Sequence, residues 1–293
     1  MMKIFILGAN GQLGHDCQQV FSKYHLQCAD LPELDATDKS ALFGALASSK
    51  PDVVVNCAAY TAVDRCETEK EACWKVNRDV PAYLAEYCSQ QSIFLVHVST
   101  DYVFHGNKPL FEAYTESDPT DPASEYGRSK LAGELAAAGQ FQHAEGYAIL
   151  RTAWLYGLHG GNFLKTMLRL AREKNEAPIK VVDDQFGSPT WSSTLARQIK
   201  TMVENRSGGL YHATSEGYCS WYGLACAFLD DMDVKHSLIP CTTEEYPTLA
   251  KRPKNSIMEN THLKKLGINE FRDWREDVAL YAAAIRKTEE DPK

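Results

Sequence analysis

The chain has 293 residues, a net charge of −8 and 44% hydrophobic residues, which suffices for one large domain, or one domain with a smaller lobe. The acidic balance argues against a nucleic-acid-binding protein, which would carry a basic face. The nine cysteines and nine histidines lack the spacings of a disulfide framework or a metal site, so we expect reduced thiols and no metal. The first apolar run is too short for a signal-peptide core, and none approaches the roughly 20 residues that cross a membrane. A cytoplasmic protein is therefore expected.

The first half of the chain alternates short apolar runs with longer amphipathic segments. The apolar runs predict buried parallel strands over residues 4–7, 53–56, 93–98 and 147–150. The segments between them predict helices over residues 12–24, 38–48, 69–90 and 124–139, with Asp38 as an N-cap. This alternation predicts an α/β fold, with a Rossmann-type doubly wound parallel sheet in a dinucleotide-binding domain over residues 1–151.

The pattern changes after Arg151. Helices are predicted over residues 162–174, 192–205, 220–231 and 274–287, and short strands over 179–182 and 209–213. Thr, Pro and charged residues predict a loop over 242–256. Because the strand–helix alternation is not repeated, we expect residues 152–293 to form mainly a smaller α/β substrate-binding lobe, with some segments returning to the Rossmann sheet.

A glycine-rich segment, Gly8-Ala9-Asn10-Gly11-Gln12-Leu13-Gly14, follows the first predicted strand. Its glycines permit a tight turn, close approach of the backbone to a pyrophosphate, and close packing of helix on sheet. The helix that begins there directs its N–H groups and dipole at the phosphates. Asp30, 22 residues after Gly8, ends a short second strand. It suits the ribose hydroxyls of NAD and repels a 2′-phosphate, so NADH is favoured over NADPH; the alternative is a solvated carboxylate.

Three further motifs lie at the ends of strands or open a helix. They are Asn56-Cys57-Ala58-Ala59, Ser99-Thr100-Asp101-Tyr102-Val103-Phe104 and Tyr126-Gly127-Arg128-Ser129-Lys130. With the glycine segment, they resemble the extended short-chain dehydrogenase/reductases. Four more segments resemble the branch of that family that reduces keto groups of dTDP-linked sugars, and the resemblance covers nearly the whole chain: residues 59–64, 151–156, 184–190 and 247–256.

The resemblance, together with the glycine segment, implies a set of cofactor-binding residues: Gly8, Gly11, Gln12, Leu13, Gly14, Asp30, Asp35, Ala36, Ala58, Ala59, Tyr60, Asn77, Ser99, Tyr126 and Lys130. It implies substrate contacts at Thr100, Asp101 and Trp154. The implied reaction is reduction of the C4 keto group of dTDP-4-dehydro-L-rhamnose with NADH or NADPH. Tyr126 would donate the proton, with Thr100 and Lys130 as the other catalytic residues. The expected partner is a dTDP-sugar, and a homodimer is expected.

The spacing of Tyr126 and Lys130 has a chemical consequence of its own. Residues four apart share one helix face, and a nearby ammonium favours a phenolate, so we expect the pKa of Tyr126 to fall below about 10. Thr100 lies at the carboxyl end of a strand, where open α/β sheets bind ligands. Its hydroxyl is expected to hydrogen-bond the substrate carbonyl and to aim it at Tyr126.

Several alternatives stay open. Asp101 either binds a sugar hydroxyl or holds its loop, and Trp154 either stacks on the substrate or packs in the core. Arg252 and Lys254 are candidates for the substrate diphosphate, or simply charges of an exposed loop. The same scaffold also serves nucleotide-sugar epimerases and dehydratases. A non-catalytic dinucleotide-binding protein, resembling the regulatory subunit of methionine adenosyltransferase, is disfavoured because Thr100, Tyr126 and Lys130 are all present.

Overall fold

A computed structural model describes residues 1–173 and 178–290. Its strands are β1 (Lys3–Leu7), β2 (His25–Ala29), β3 (Val53–Asn56), β4 (Phe94–Thr100), β5 (Tyr147–Thr152), β6 (Leu155–Tyr156), β7 (Ile179–Val182), β8 (Phe186–Gly187), β9 (Thr190–Trp191), β10 (Gly209–His212), β11 (Cys219–Ser220), β12 (Leu238–Cys241) and β13 (Asn255–Ser256). Its α-helices are α1 (Gln12–Val20), α2 (Lys39–Ser49), α3 (Val63–Cys66), α4 (Lys70–Trp74), α5 (Val80–Gln91), α6 (Glu125–Ala138), α7 (Phe163–Arg172), α8 (Ser192–Asn205), α9 (Trp221–Asp231), α10 (Thr261–Leu266) and α11 (Trp274–Glu290). In the part of the chain that is described, no helix combines the length and the apolar character needed to cross a membrane.

The main sheet confirms the predicted doubly wound α/β architecture. Its six strands are parallel and run in the order β10-β5-β4-β3-β1-β2. Because side chains alternate along a strand, Ile4 and Ile6 pack into the layer that contains α1 and α8, whereas Phe5 and Leu7 face α2 and α5. The strand order reverses between β1 and β3, and such a switch point opens the crevice in which α/β sheets bind ligands.

The helices of the first half lie where they were predicted, with two differences. One helix ends earlier, and another contains a π-helical segment. Asp38 caps α2 as predicted, accepting hydrogen bonds from the backbone N–H of Ser40 and Ala41 at 2.9 and 3.1 Å. Helix α1 ends at Val20 rather than at residue 24, because Phe21 turns into the core and starts the return to β2. The segment predicted as one helix over 69–90 is helical from Lys70 to Gln91, but its middle, Lys75–Asp79, is a π-helix.

The second half returns to the main sheet before it forms a separate core. Strand β10 pairs in parallel with β5, and α8 packs on α1, so these are segments of the second half that return to the main sheet. Helices α7, α9 and α11 enclose a second core with β7 and β12. Helix α7 ends at Arg172; Lys174, its predicted end, lies outside the described residues.

The predicted loop over 242–256 contains two short regular elements. Thr243–Glu245 form a 3₁₀ turn that Thr242 caps, and β13 pairs in parallel with β8. Strand β12 and helix α10 were not predicted from the sequence. Both elements are short, and the segments that they contact lie far away in the chain. Local periodicity therefore does not reveal them.

Candidate active site

The glycine segment forms a tight turn directly after β1. Gly8 has φ +78°, and a Cβ there would lie 2.5 Å from the backbone nitrogen of Ala58. A Cβ on Gly14 would lie 2.1 Å from the carbonyl oxygen of Gly8, so α1 packs directly on the turn. Gly11 is the N-cap of α1 and offers no side-chain cap. The first N–H groups of α1 are therefore available to an anionic ligand, which fits a dinucleotide diphosphate.

An outer cavity of about 370 Å³ extends from this turn toward the end of β2. Its lining brings together eight predicted cofactor residues: Gly8, Gly11, Asp30, Asp35, Ala36, Ala58, Ala59 and Tyr60. The Asp30 carboxylate accepts hydrogen bonds from the backbone N–H of Asn10 and Leu31, both at 2.8 Å, so it also holds the glycine turn. The described lining of this cavity contains no lysine or arginine.

Asn77 lies behind the wall of the outer cavity rather than in it. It belongs to the π-helix and is 1% exposed. Its Oδ1 accepts from the backbone N–H of Tyr60 at 2.8 Å, and its Nδ2 donates to the carbonyl of Tyr60 at 3.1 Å. A Cβ on Gly133 would lie 2.1 Å from the Asn77 carbonyl oxygen, so α6 packs directly on the π-helix. Asn77 therefore shapes the cavity by fixing Tyr60.

An inner cavity of about 470 Å³ opens at the carboxyl ends of β4 and β5. Gly11, Cys57 and Ala59 line both cavities. The inner cavity brings together the other predicted residues: Gln12, Leu13, Gly14, Ser99, Thr100, Asp101, Tyr126, Lys130 and Trp154. Ser99 donates its hydroxyl proton to Glu134, which is ion-paired with Arg151. The two cavities thus collect most of the side chains that the sequence motifs predicted.

Tyr126 occupies the first turn of α6, whose N-cap Ser124 accepts a hydrogen bond from the backbone N–H of Gly127 at 3.1 Å. Burial raises the pKa of the Tyr126 phenol well above its usual value, and the charge of Asp101 adds to this, whereas a hydrogen bond with Thr100 opposes it. The lowering of this pKa that we expected from Lys130 is not found, because burial and the charge of Asp101 both raise the pKa and only the hydrogen bond with Thr100 opposes them. The phenol therefore keeps its proton at neutral pH, as a proton donor requires.

Lys130 lies one turn further along α6 and points to the end of β4. Its Nζ donates to the carbonyl oxygen of Val98 at 2.7 Å, and the residue is 2% exposed. Burial lowers the pKa of this ammonium to about 8, and the carboxylate of Glu134 partly offsets the effect. The side chain forms part of the inner-cavity wall at the base of the site.

Thr100 and Asp101 form a hydrogen-bonded pair at the carboxyl end of β4. The Thr100 hydroxyl donates to Asp101 Oδ1 at 2.8 Å and accepts from the backbone N–H of Tyr102 at 3.2 Å. Its single proton is thus directed at Asp101 and not at the substrate carbonyl that we expected it to bind. Burial raises the pKa of Asp101 to about 6. Its Oδ2 makes no hydrogen bond of normal geometry among the described residues, although the Ser256 hydroxyl lies near the carboxylate.

Aromatic side chains form part of the inner-cavity wall. Trp154 lines the inner cavity and stacks on Trp221, with ring centroids 3.6 Å apart and planes 7° apart. Tyr102 packs edge-on against Tyr126 at 5.4 Å. Trp221 was not predicted. A tryptophan at the start of a helix does not by itself indicate a binding site. Only the tertiary structure brings Trp221 to Trp154.

The two basic candidates for the substrate diphosphate are not in the lining of the inner cavity. Arg252 donates to Asp64 Oδ2 at 2.8 Å and to the phenolic oxygen of Tyr102 at 3.3 Å. Its guanidinium is thus one side chain away from the cavity, and it ties the late loop to the segment after β3. Lys254 is exposed.

Comparisons with known proteins show the family of the chain. The family model described as the RmlD substrate binding domain matches residues 2–287. The dTDP-4-dehydrorhamnose reductase of Burkholderia thailandensis is 39% identical, and the alignment covers 95% of this chain and 97% of that relative. The crystal structure of a dTDP-4-dehydrorhamnose reductase from Clostridium acetobutylicum superposes with a TM-score of 0.92 at 39% identity, covering 97% of this chain and all of that one.

A second crystal structure, of the Bacillus anthracis dTDP-4-dehydrorhamnose reductase in complex with NADP, superposes with a TM-score of 0.92 at 35% identity over 97% of this chain and all of that one. Near-complete coverage at these identities confirms the resemblance that the motifs indicated. The chain therefore belongs to the RmlD substrate-binding family, within the extended short-chain dehydrogenase/reductases.

Proposed function

We propose that the chain is an NAD(P)H-dependent oxidoreductase that reduces the C4 keto group of dTDP-4-dehydro-L-rhamnose to give dTDP-L-rhamnose. One observation carries this proposal. Thr100, Tyr126 and Lys130 line a single cavity beside the amino end of α1, in a chain 39% identical to a dTDP-4-dehydrorhamnose reductase over nearly its whole length.

Each catalytic candidate has a separate role in this reaction. The nicotinamide cofactor, when bound, supplies the hydride. Tyr126, whose phenol stays protonated at neutral pH, donates a proton to the alkoxide oxygen that forms at C4. Thr100 contacts the phenol and orients it, while its own proton is held by Asp101. The Lys130 ammonium, held by the Val98 carbonyl at the base of the cavity, supplies positive charge that stabilises the negative charge developing there.

We propose that the substrate sugar is held between Asp101 and Trp154. Oδ2 of Asp101, which makes no hydrogen bond of normal geometry among the described residues, is buried at the cavity wall, where it accepts a hydrogen bond from a sugar hydroxyl. Such a bond satisfies a carboxylate oxygen that is otherwise costly to bury. The indole of Trp154 offers the flat apolar surface against which a sugar ring packs.

For the cofactor, we propose that NADH is favoured and that NADPH is also accepted. Asp30 lies at the ribose end of the outer cavity, whose described lining offers no cation to a 2′-phosphate. A carboxylate at this position bonds to free ribose hydroxyls and repels the extra phosphate. The related Bacillus anthracis enzyme was crystallised with NADP, so we expect both cofactors to support the reaction at different rates. The ratio of kcat/KM for NADH to kcat/KM for NADPH measures the preference.

We also propose that residues 1–151 form the dinucleotide-binding domain and that residues 152–293 mainly bind the substrate. The glycine turn, Tyr126 and Lys130 come from the first part, and Trp154 and Trp221 from the second. The homodimer stays a prediction, which sedimentation of the purified protein tests.

The deciding experiment follows oxidation of NADH and of NADPH in the presence of dTDP-4-dehydro-L-rhamnose, for the wild type and for Tyr126→Phe. Stoichiometric cofactor consumption, reduced about 10²–10⁴-fold in the variant with unchanged cofactor affinity, supports the reductase. A folded, cofactor-binding wild type that consumes no cofactor contradicts the rhamnose assignment. A cofactor that stays bound and oxidised between turnovers would indicate an epimerase or a dehydratase instead. Failure with every keto sugar would indicate the non-catalytic alternative.

A further inference from the structure

The inner cavity has a wall made of two stacked indoles that come from separate parts of the chain. Trp154 follows β5 of the main sheet, and Trp221 opens α9 of the second core. Their rings are 3.6 Å apart and within 7° of parallel, and both line the cavity that holds Tyr126. The stack therefore joins the two parts of the molecule at the site itself.

Trp154 adopts a backbone conformation that needs support from its surroundings. Its φ is +47°, a region that a bulky residue with a Cβ rarely occupies. Strained conformations of this kind persist where several neighbouring groups hold the residue in place, and they are common at ligand sites. On one side, the indole edge lies so close to Gly187 that a Cβ there would be 2.5 Å from Trp154 Cε2 and 2.7 Å from Nε1. On another side, the indole lies flat on Trp221.

Trp221 is itself fixed by polar and aromatic contacts. Its Nε1 donates to Gln185 Oε1 at 3.2 Å, and Gln185 Nε2 donates to Thr243 Oγ1 at 3.0 Å. The ring of Phe163 packs edge-on against the indole at 4.8 Å. The N-cap Ser220 accepts from the backbone N–H of Gly223 at 3.0 Å and so sets the first turn of α9. Trp221 thus provides a rigid platform, and Trp154 is the ring placed on it.

We infer that Trp221 is a positioning residue, which holds the Trp154 indole in the orientation that presents the keto sugar to Tyr126. This inference rests on the proposed function and adds to it the residue that decides how the sugar ring lies. A misplaced indole would leave the sugar bound less tightly and in less accurate alignment, and small errors in alignment are costly to a reaction. The cofactor cradle at the glycine turn would be unaffected.

The test compares Trp221→Leu with Trp221→Phe, which keeps an aromatic ring on the stack, and with Trp191→Phe as a matched removal of one indole outside the two cavities. We expect Trp221→Leu to raise KM for dTDP-4-dehydro-L-rhamnose about tenfold with a smaller loss in kcat, and to leave the Kd for NADH within about twofold. Trp221→Phe should restore most of the loss, and Trp191→Phe should match the wild type.

Two further measurements separate positioning from a general structural role. Circular dichroism should show an exciton couplet from the stacked indoles that is lost in Trp221→Leu and retained in Trp191→Phe. In a double-mutant cycle, adding Trp221→Leu to Trp154→Leu should cost little more, because the two residues act as a unit. An absent couplet, additive losses, or a Trp221→Leu enzyme with wild-type KM and kcat would overturn the inference. If the wild type turned over no keto sugar, the proposed function would fail, and the couplet would still decide whether Trp221 holds Trp154.

Discussion

Replacing Lys130 with methionine should stabilise the folded chain while it abolishes the proposed reaction. Burial lowers the pKa of Lys130 to about 8 from an ordinary 10.5. At about 1.4 kcal/mol per pKa unit, keeping the ammonium charged in the folded state costs about 3 kcal/mol. The lost hydrogen bond to the Val98 carbonyl offsets about 1 kcal/mol of the gain. Methionine fills a similar volume, so we expect a net increase of about 2 kcal/mol in the free energy of unfolding.

The pH dependence of this effect has a definite sign. Below about pH 8, Lys130 is charged in the folded and unfolded states alike, so the whole cost of burial is present. Between about 8 and 10.5, the unfolded chain binds more protons than the folded one, and this group makes the wild type more stable as the pH rises. The advantage of Lys130→Met should therefore be complete at neutral pH and should shrink across that interval.

Urea unfolding of the cofactor-free protein at about pH 7 and about pH 10 measures both effects. The exposed Lys23 supplies the matched control, because Lys23→Met should change stability by less than about 0.5 kcal/mol. A Lys130→Met variant that is less stable than the wild type at neutral pH would refute the reasoning. A gain that is the same at both pH values would also refute it, since the effect would then come from packing rather than from the buried charge.

Three other substitutions test separate parts of the site. Gly14→Ala places a Cβ 2.1 Å from the carbonyl oxygen of Gly8, so the dinucleotide Kd, measured by fluorescence titration, should rise about tenfold or more. Glu134→Ala leaves Arg151, 4% exposed at its side chain, without its partner, and urea unfolding should show a loss of about 3–5 kcal/mol; a loss below about 1 kcal/mol would contradict a buried ion pair. Asp101 should lose its charge as the pH falls through about 6. The wild-type kcat/KM should therefore decline below that pH, and Asp101→Asn should be slow and lack that decline; an unchanged acidic limb in the variant would assign the decline to another group.

The sequence by itself determined the sheet, the glycine turn and the catalytic candidates. Each of these depends on residues that are close together in the chain. A buried strand appears as a short apolar run, as over 53–56, and a helix begins where Asp38 caps it. The glycine turn is recognisable because Gly8, with its positive φ, and Gly14, which has no room for a Cβ, lie within one short segment. Tyr126 and Lys130 lie on one face of α6 because they are four residues apart.

The tertiary structure alone decided how these candidates work. The pKa of Tyr126 rises mainly because the phenol is buried, and residue spacing contains no measure of burial. The proton of Thr100 is directed at Asp101, which a motif does not show. Asn77 faces Tyr60 because a π-helix and α6 pack around it. Trp221 meets Trp154 only because α9 is folded onto the end of the main sheet, and contacts between distant segments leave no local pattern in a single sequence.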